Sequence, residues 1–313
     1  MATRPIKLEI ITPVHNRKAE TLRCLRSIGR SILDGIEAHV IIVDDGSTDG
    51  TADAVRAGYP GVEIVEGNGD LWYTAGANRG LEAALRHDPD YILAINNDSI
   101  FDENCIIRMV ECAEKHPRSV VGALLLDWDA PPRIFQVAPK WNTWWGGYRH
   151  WRNQTVWTVP SEPWEVELIV GNCVLFPAEA VREVGLMDEK KLVQYGDAEY
   201  TPRMRRRGWR LLIEPKARVF CQPNVIVSGF RKLSLREKFS EIFFKPHAPY
   251  SVRRRFNSVV GGAPNKLEGL LAVPIFYLRV LIGRNVEGKW GAGLSEPPLS
   301  EIYAEKVARR PDK

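Results

Sequence analysis

Residues Tyr91 to Ile95 form a short apolar run that stops abruptly at Asn96-Asn97-Asp98-Ser99. An apolar run of this length bounded by polar turn formers predicts a buried strand. The same arrangement occurs twice upstream. Leu8 to Val14 is followed by His15-Asn16-Arg17, and His39 to Val43 by Asp44-Asp45-Gly46-Ser47-Thr48-Asp49-Gly50. Each loop leads into a helix-like segment. Thr21, Leu22, Leu25, Ile28 and Ile32 give a helical stripe after the first, and Ser47 or Thr48 is placed to cap a helix through Ala52 to Arg56 after the second. Repeated strand–loop–helix units predict an α/β fold: a mostly parallel sheet with helices on both faces.

In such a sheet the loops at the carboxyl ends of the strands gather along one edge, where open α/β sheets bind ligands. One carboxylate beside two amides suits a hard divalent cation that also takes an anionic ligand. The plainer reading of Asn96-Asn97-Asp98-Ser99 is a turn, since these residues dominate turns for local reasons.

Taken in order, further motifs point to a known family. Pro13-Val14-His15-Asn16-Arg17, Val43 to Gly50, Gly76-Ala77-Asn78-Arg79-Gly80 and Asn96-Asn97-Asp98 resemble successive signatures of the family 2 glycosyltransferases. The series continues through Gly171-Asn172-Cys173, Val184 to Glu189, Tyr195-Gly196-Asp197-Ala198-Glu199-Tyr200, and Arg203 to Arg210. The resemblance covers residues 6–222 and is nearest to the rhamnosyltransferase-like branch. It implies the GT-A fold over 1–225, with a basic, mainly helical extension over 226–313.

The resemblance also implies an inverting transfer of a sugar from a UDP- or dTDP-sugar to a glycan acceptor, expected to be lipid-linked. Asp98 is the expected direct ligand of Mg²⁺ or Mn²⁺, with Asn96 assisting. Asn stands at the first position of the metal motif where an Asp is usual, which removes a charge. Pro13, Val14, His15, Asn16, Asp45, Asn78, Arg79 and Asn97 fall at nucleotide-sugar positions. Asp45 is expected to accept a hydrogen bond from a pyrimidine N3–H, which suits uracil or thymine. Asp197 is the expected base for the acceptor hydroxyl, with Glu199 as a second catalytic acid, although Gly196 replaces a usual Glu. The plainer reading of Asp197 and Glu199 is a pair of acids favouring a helix start. Many relatives carry a His near Cys221; here Cys221 is read as structural, and His247 sits in another context.

Trp141, Trp144, Trp145, Trp151, Trp157 and Trp164 crowd one segment, where broad apolar rings suit sugar faces or a small core of their own. Trp72, Trp145 and Asn172 are the expected acceptor contacts. The tail is basic: residues 226–313 hold 16 Lys/Arg against 8 Asp/Glu, which leaves residues 1–225 acidic within a total of +4. With no nucleic-acid-reading motif, the partner this charge implies is an anionic membrane surface rather than nucleic acid. Leu270 to Leu278, with Arg253-Arg254-Arg255 before it and Arg279 and Arg284 after it, is too short and too Pro-broken to span a bilayer, but is able to lie in an interface. Packing on the main domain, or on another copy in a homo-oligomer, is the alternative. Five scattered cysteines without metal-ligand spacing predict reduced thiols. With no signal-peptide core before Leu8, they predict a cytoplasmic protein, peripheral at the inner face of the membrane. Two other classes stand beside this reading. A sugar nucleotidyltransferase would carry a glycine-rich basic signature that Ile11 to Arg17 lacks. A degenerate glycan-binding scaffold would not need Asp45, Asp98 and Asp197.

Overall fold

A computed structural model describes residues 4–128, 132–135, 140–149, 154–221, 233–245, 248 and 250–281. Trp151, His247 and Arg284, raised above, lie outside the described residues. The chain begins as β1 (Ile6–Val14), α1 (Lys18–Ile28), β2 (Ile36–Asp44), α2 (Thr51–Gly58), β3 (Glu63–Glu66), α3 (Trp72–Arg86) and β4 (Tyr91–Ile95). β5 (Ser99–Phe101), α4 (Cys105–Lys115), β6 (Ser119–Asp127), β7 (Lys140–Asn142), β8 (Gly147–Arg149) and β9 (Trp164–Glu165) follow. β10 (Cys173–Pro177), α5 (Ala178–Val184), α6 (Asp197–Arg206) and β11 (Arg210–Cys221) then lead to α7 (Leu235–Phe243), α8 (Val252–Gly262) and α9 (Lys266–Leu281).

A nine-stranded sheet runs β3-β2-β1-β4-β10-β6-β11-β5, with β9 also on β11. The first four strands are mutually parallel, as the repeated units predict. β10 is antiparallel to both β4 and β6, and β5 is antiparallel to β11. Near-continuous apolar runs such as Val40 to Val43 suit strands covered on both faces. Leu81 and Ala84 of α3 and Tyr200 and Met204 of α6 pack in one core; Cys24 and Ile28 of α1 and Ile106 and Met109 of α4 pack in the other.

Two local expectations shift. α1 ends at Ile28, so Ile32 falls beyond the helix and is exposed. α2 begins after Gly50, whose φ of +79° lies in the left-handed region. This later start gives Asp49, rather than Ser47 or Thr48, the role of holding the first turn: its Oδ1 accepts the Thr51 N–H at 3.0 Å.

The extension packs back on the sheet domain. Gly262 of α8 lies so close to α6 that a Cβ there would sit 2.4 Å from the Ala198 carbonyl oxygen. Arg206 donates to the Ala263 carbonyl at 2.8 Å, and Tyr148 donates to that of Gly262 at 2.7 Å. One face of α9 is buried through Gly269, Ala272, Phe276 and Val280; Leu267, Leu270, Leu271, Leu278 and Leu281 are exposed. Among the described residues no helix is long and apolar enough to cross a membrane.

Candidate active site

Parallel register brings Val14 level with Asp44, so the first two polar loops meet at one sheet edge. There a cleft of about 470 Å³ is lined by Pro13, Val14, His15, Arg17, Asp45, Gly69, Trp72, Tyr73, Asn97 and Gln194. Six of the expected nucleotide and acceptor residues therefore share one wall system. Arg17, Tyr73 and Gln194 join them without having been singled out. Arg17 stands at the end of a quoted motif; nothing local marks Gln194.

Asp45 organises this cleft. Its buried carboxylate accepts the N–H groups of Gly69 at 2.7 Å, Leu71 at 2.9 Å and Trp72 at 3.2 Å. It thus holds the loop at the start of α3, where a negative charge is favourable. Gly67 is needed beside it, because a Cβ there would sit 2.7 Å from Asp45 Oδ1. A carboxylate has about four lone-pair sites, so three N–H groups leave room for one more donor. His15 is held through Nδ1, 2.6 Å from the Asp45 carbonyl oxygen.

Several expected contacts have other work. Asn16 joins the first two loops: its backbone N–H donates to Ser47 Oγ at 2.9 Å and its Oδ1 accepts the Thr48 N–H at 2.7 Å. Asn78 is buried and clamps the 187–189 loop, donating to the Met187 carbonyl at 3.0 Å and to Glu189 Oε2 at 2.8 Å while accepting the Met187 N–H. That leaves its amide no donor for a diphosphate. Arg79 pairs with Glu82 at 3.0 Å on the surface of α3. Asn97 lines the cleft but gives its amide to Thr21 Oγ1. Asn172 sits against the metal motif rather than an acceptor loop: its carbonyl accepts the Asn96 N–H at 3.1 Å, and its amide faces Cys221 Sγ at 3.9 Å. The Trp145 ring carries the Arg279 guanidinium 3.5 Å from its centroid and that of Arg149 at 5.3 Å. Trp72 is exposed at the cleft, its indole N–H on Asp70.

Asp98 pairs with Arg17 at 2.6 Å, and its side chain is only 11% exposed. Burial raises its carboxyl above the ordinary carboxylate pKa, and the Arg17 charge pulls it partly back. The donor set of Asp98 with the Asn96 and Asn97 amide oxygens fits a hard cation that completes its shell with phosphate oxygens. Cys221 does not join that set, since burial pushes its thiol well up and keeps it protonated. All five cysteines are buried and unbridged. Another potential ligand group, Glu9, His39 and His87, brings its atoms within 4.8 Å of one another. It belongs to the middle of β1 and β2 and the end of α3, away from the loops of the cleft.

Asp197 opens α6 beside the cleft. Its Oδ2 accepts the Gly171 N–H at 2.9 Å, and Tyr73, a wall of the cleft, donates to the Gly171 carbonyl at 3.1 Å. No larger residue fits at Gly171, where a Cβ would sit 2.6 Å from the Tyr73 hydroxyl and 2.8 Å from Asp197 Cβ. Burial raises the Asp197 carboxyl, and the N–H groups of Gly171 and Ala198 pull it partly back. Glu199 turns elsewhere. Two residues along a helix is about 200° of rotation, so Asp197 and Glu199 cannot share a face. Glu199 faces a cavity between α6 and α8, paired with Arg203 at 3.1 Å and Arg206 at 3.5 Å.

Known proteins resemble this chain in sequence and in fold. The profile described as Glycosyl transferase family 2 matches residues 9–185, more than half of the chain. The N-acetylglucosaminyl-diphospho-decaprenol L-rhamnosyltransferase of Mycobacterium tuberculosis (strain ATCC 25618 / H37Rv) is 28% identical over 205 residues, 58% of this chain and 65% of the relative. The chain thus spans about 65% of the length of the curated relative it matches. Among solved structures, GalNAc-T7 with UDP, GalNAc and Mn²⁺ matches with a TM-score of 0.62 at 13% identity, over 92% of this chain and 59% of that one. S. aureus TarS matches with a TM-score of 0.55 at 14% identity, over 88% and 43%. At those identities the likeness is one of fold. The chain belongs to glycosyl transferase family 2, has the GT-A fold, and is similar in sequence to the rhamnosyltransferase-like branch of that family.

Proposed function

We propose that this protein transfers a sugar from a UDP- or dTDP-sugar to a lipid-linked glycan, with inversion at the anomeric carbon. The observation that carries this reading is Asp197: a partly buried acid that accepts the Gly171 N–H beside Tyr73, a wall of the cleft, with its pKa raised by burial. The nucleotide lies along Pro13, Val14 and His15, and the remaining lone pair of Asp45 meets the pyrimidine N3–H. The acceptor oxygen attacks the anomeric carbon, its proton passes to Asp197, and the bond from that carbon to the diphosphate breaks, the electron pair leaving with the nucleoside diphosphate. Asp98, with Asn96 and Asn97, would hold Mg²⁺ or Mn²⁺, which supplies positive charge for the departing diphosphate. Arg17 already brings one cation to the same carboxylate. The relative's name, with its diphospho-decaprenol acceptor, supports a lipid-linked acceptor here.

The helical extension gives the enzyme its hold on a membrane surface under this proposal. Its support is the exposed leucine stripe of α9, joined by Leu235, Phe239 and Phe243 at four-residue spacing on α7, within a basic tail. Three measurements test these readings. Asp98→Ala abolishes transfer without unfolding the protein; wild-type turnover with saturating Mg²⁺ or Mn²⁺ would remove Asp98 from the metal.

Asp197→Asn lowers kcat by about a hundredfold or more, the scale of a lost general base, while donor affinity holds. A base works only when ionised, so wild-type kcat rises with pH through a value above the ordinary carboxylate pKa. The stability consequence has the opposite sign. A carboxyl whose folded pKa is raised contributes stability that is present below the unfolded pKa and lost as pH rises through the folded one. At neutral pH, Asp197→Asn therefore has a Tm no lower than wild type. Lost UDP binding with unchanged chemistry would move Asp197 to a nucleotide role. In vesicle sedimentation, the protein pellets with anionic vesicles at low salt and is released at high salt, because exposed charges are screened. Failure to pellet at low salt would leave the extension as a packing element.

A further inference from the structure

The strand-end cleft continues past Gln194. That residue also lines a smaller hollow of about 130 Å³, together with Lys190, Lys191, Arg253 and Arg254. Lys191 and Leu192 go on to line the third hollow, about 480 Å³ between α6 and α8, to which Arg206 and Lys266 contribute. Shared residues therefore place the three hollows next to one another, from the cleft to the start of α9.

The middle hollow is lined by four cationic side chains and no acidic one. Like charges gathered in one place repel, and a bound anion relieves that cost. Local contacts hold them there. The Asn257 amide donates to the Lys191 carbonyl at 2.9 Å, tying α8 to the 190–194 segment. Lys191 pairs with Asp188 at 2.5 Å, and the Arg254 guanidinium lies 4.0 Å over the Tyr195 ring. Tyr195, with φ at +65°, belongs to the turn that delivers Asp197. Arg254 therefore lies over the turn that leads into Asp197. At the start of α9, Leu267, Leu270 and Leu271 are exposed.

We propose that this hollow binds the diphosphate of the acceptor, a sugar carried on a polyprenyl diphosphate. Lys190, Lys191, Arg253 and Arg254 hold the diphosphate, the acceptor sugar reaches toward Asp197, and the prenyl chain runs toward the leucines of α9. The proposal rests on the reading of the acceptor as lipid-linked, and gives the extension a direct part in choosing it.

The donor also carries a diphosphate, so the test must separate the two. Farnesyl diphosphate is titrated by calorimetry into protein saturated with UDP, and farnesol serves as the uncharged control. The diphosphate binds, farnesol does not, and Lys190→Ala/Arg253→Ala weakens binding by about tenfold or more while UDP affinity is unchanged. In turnover, the same variant raises KM for a polyprenyl diphosphate sugar by a similar factor, and leaves KM for the same sugar on an uncharged alkyl chain where it was. Competition between farnesyl diphosphate and UDP, or equal binding by the variant, would overturn the proposal. Charge-dependent binding without sugar transfer to any acceptor would contradict the transferase reading and leave the site standing.

Discussion

The hydrogen bond from the Gly171 N–H to Asp197 joins three parts of the fold at one point. Gly171 precedes β10, Asp197 begins α6, and Tyr73 of α3 donates to the Gly171 carbonyl. β10 can place Gly171 there because it enters the sheet antiparallel between β4 and β6. Its Cys173 is level with Ile95, the last residue before the metal motif. The same strand insertion therefore sets Asp197 beside the cleft and holds Asn172 against Asn96. A side chain at Gly171 would drive Tyr73 and Asp197 apart, and a wall of the cleft would move with them.

The cleft has an electrostatic division of labour. Asp45 is stabilised by backbone N–H groups and holds the loop that shapes the nucleotide end. Asp98 has an arginine on it, and under the proposed function would hold the dication. Asp197 has no cation among the causes of its shift: burial raises its carboxyl, and the backbone N–H groups of Gly171, Ala198 and Asp197 itself pull it partly back. Under the proposed function, Asp45 organises the loop, Asp98 gathers positive charge and Asp197 takes the proton.

Much of this was legible in the sequence. The strand–loop–helix repeats fixed which loops meet, and the abrupt polar ends of Ile95 and Val43 marked the cleft. The antiparallel entry of β10 was not legible, because strand order depends on contacts distant in sequence. Asn78 and Arg79 lie in a quoted motif, yet the packing of α3 assigns Asn78 to a clamp and Arg79 to the surface. The approach of Arg279 of α9 to the Trp145 ring was not legible either, since the two residues are remote in sequence. Glu199 is different: helical geometry alone separates it from Asp197, so its turn toward the extension could have been read without coordinates. Tyr73 and Gln194 carry no local signal, and only the folded cleft shows them.

The central claim is a single displacement at the anomeric carbon, with Asp197 taking the acceptor's proton. Proton NMR of the first product, formed from a UDP- or dTDP-sugar of known anomeric configuration, tests it most directly. The account predicts a new linkage of inverted configuration, with one nucleoside diphosphate released per linkage. A product of retained configuration would contradict it.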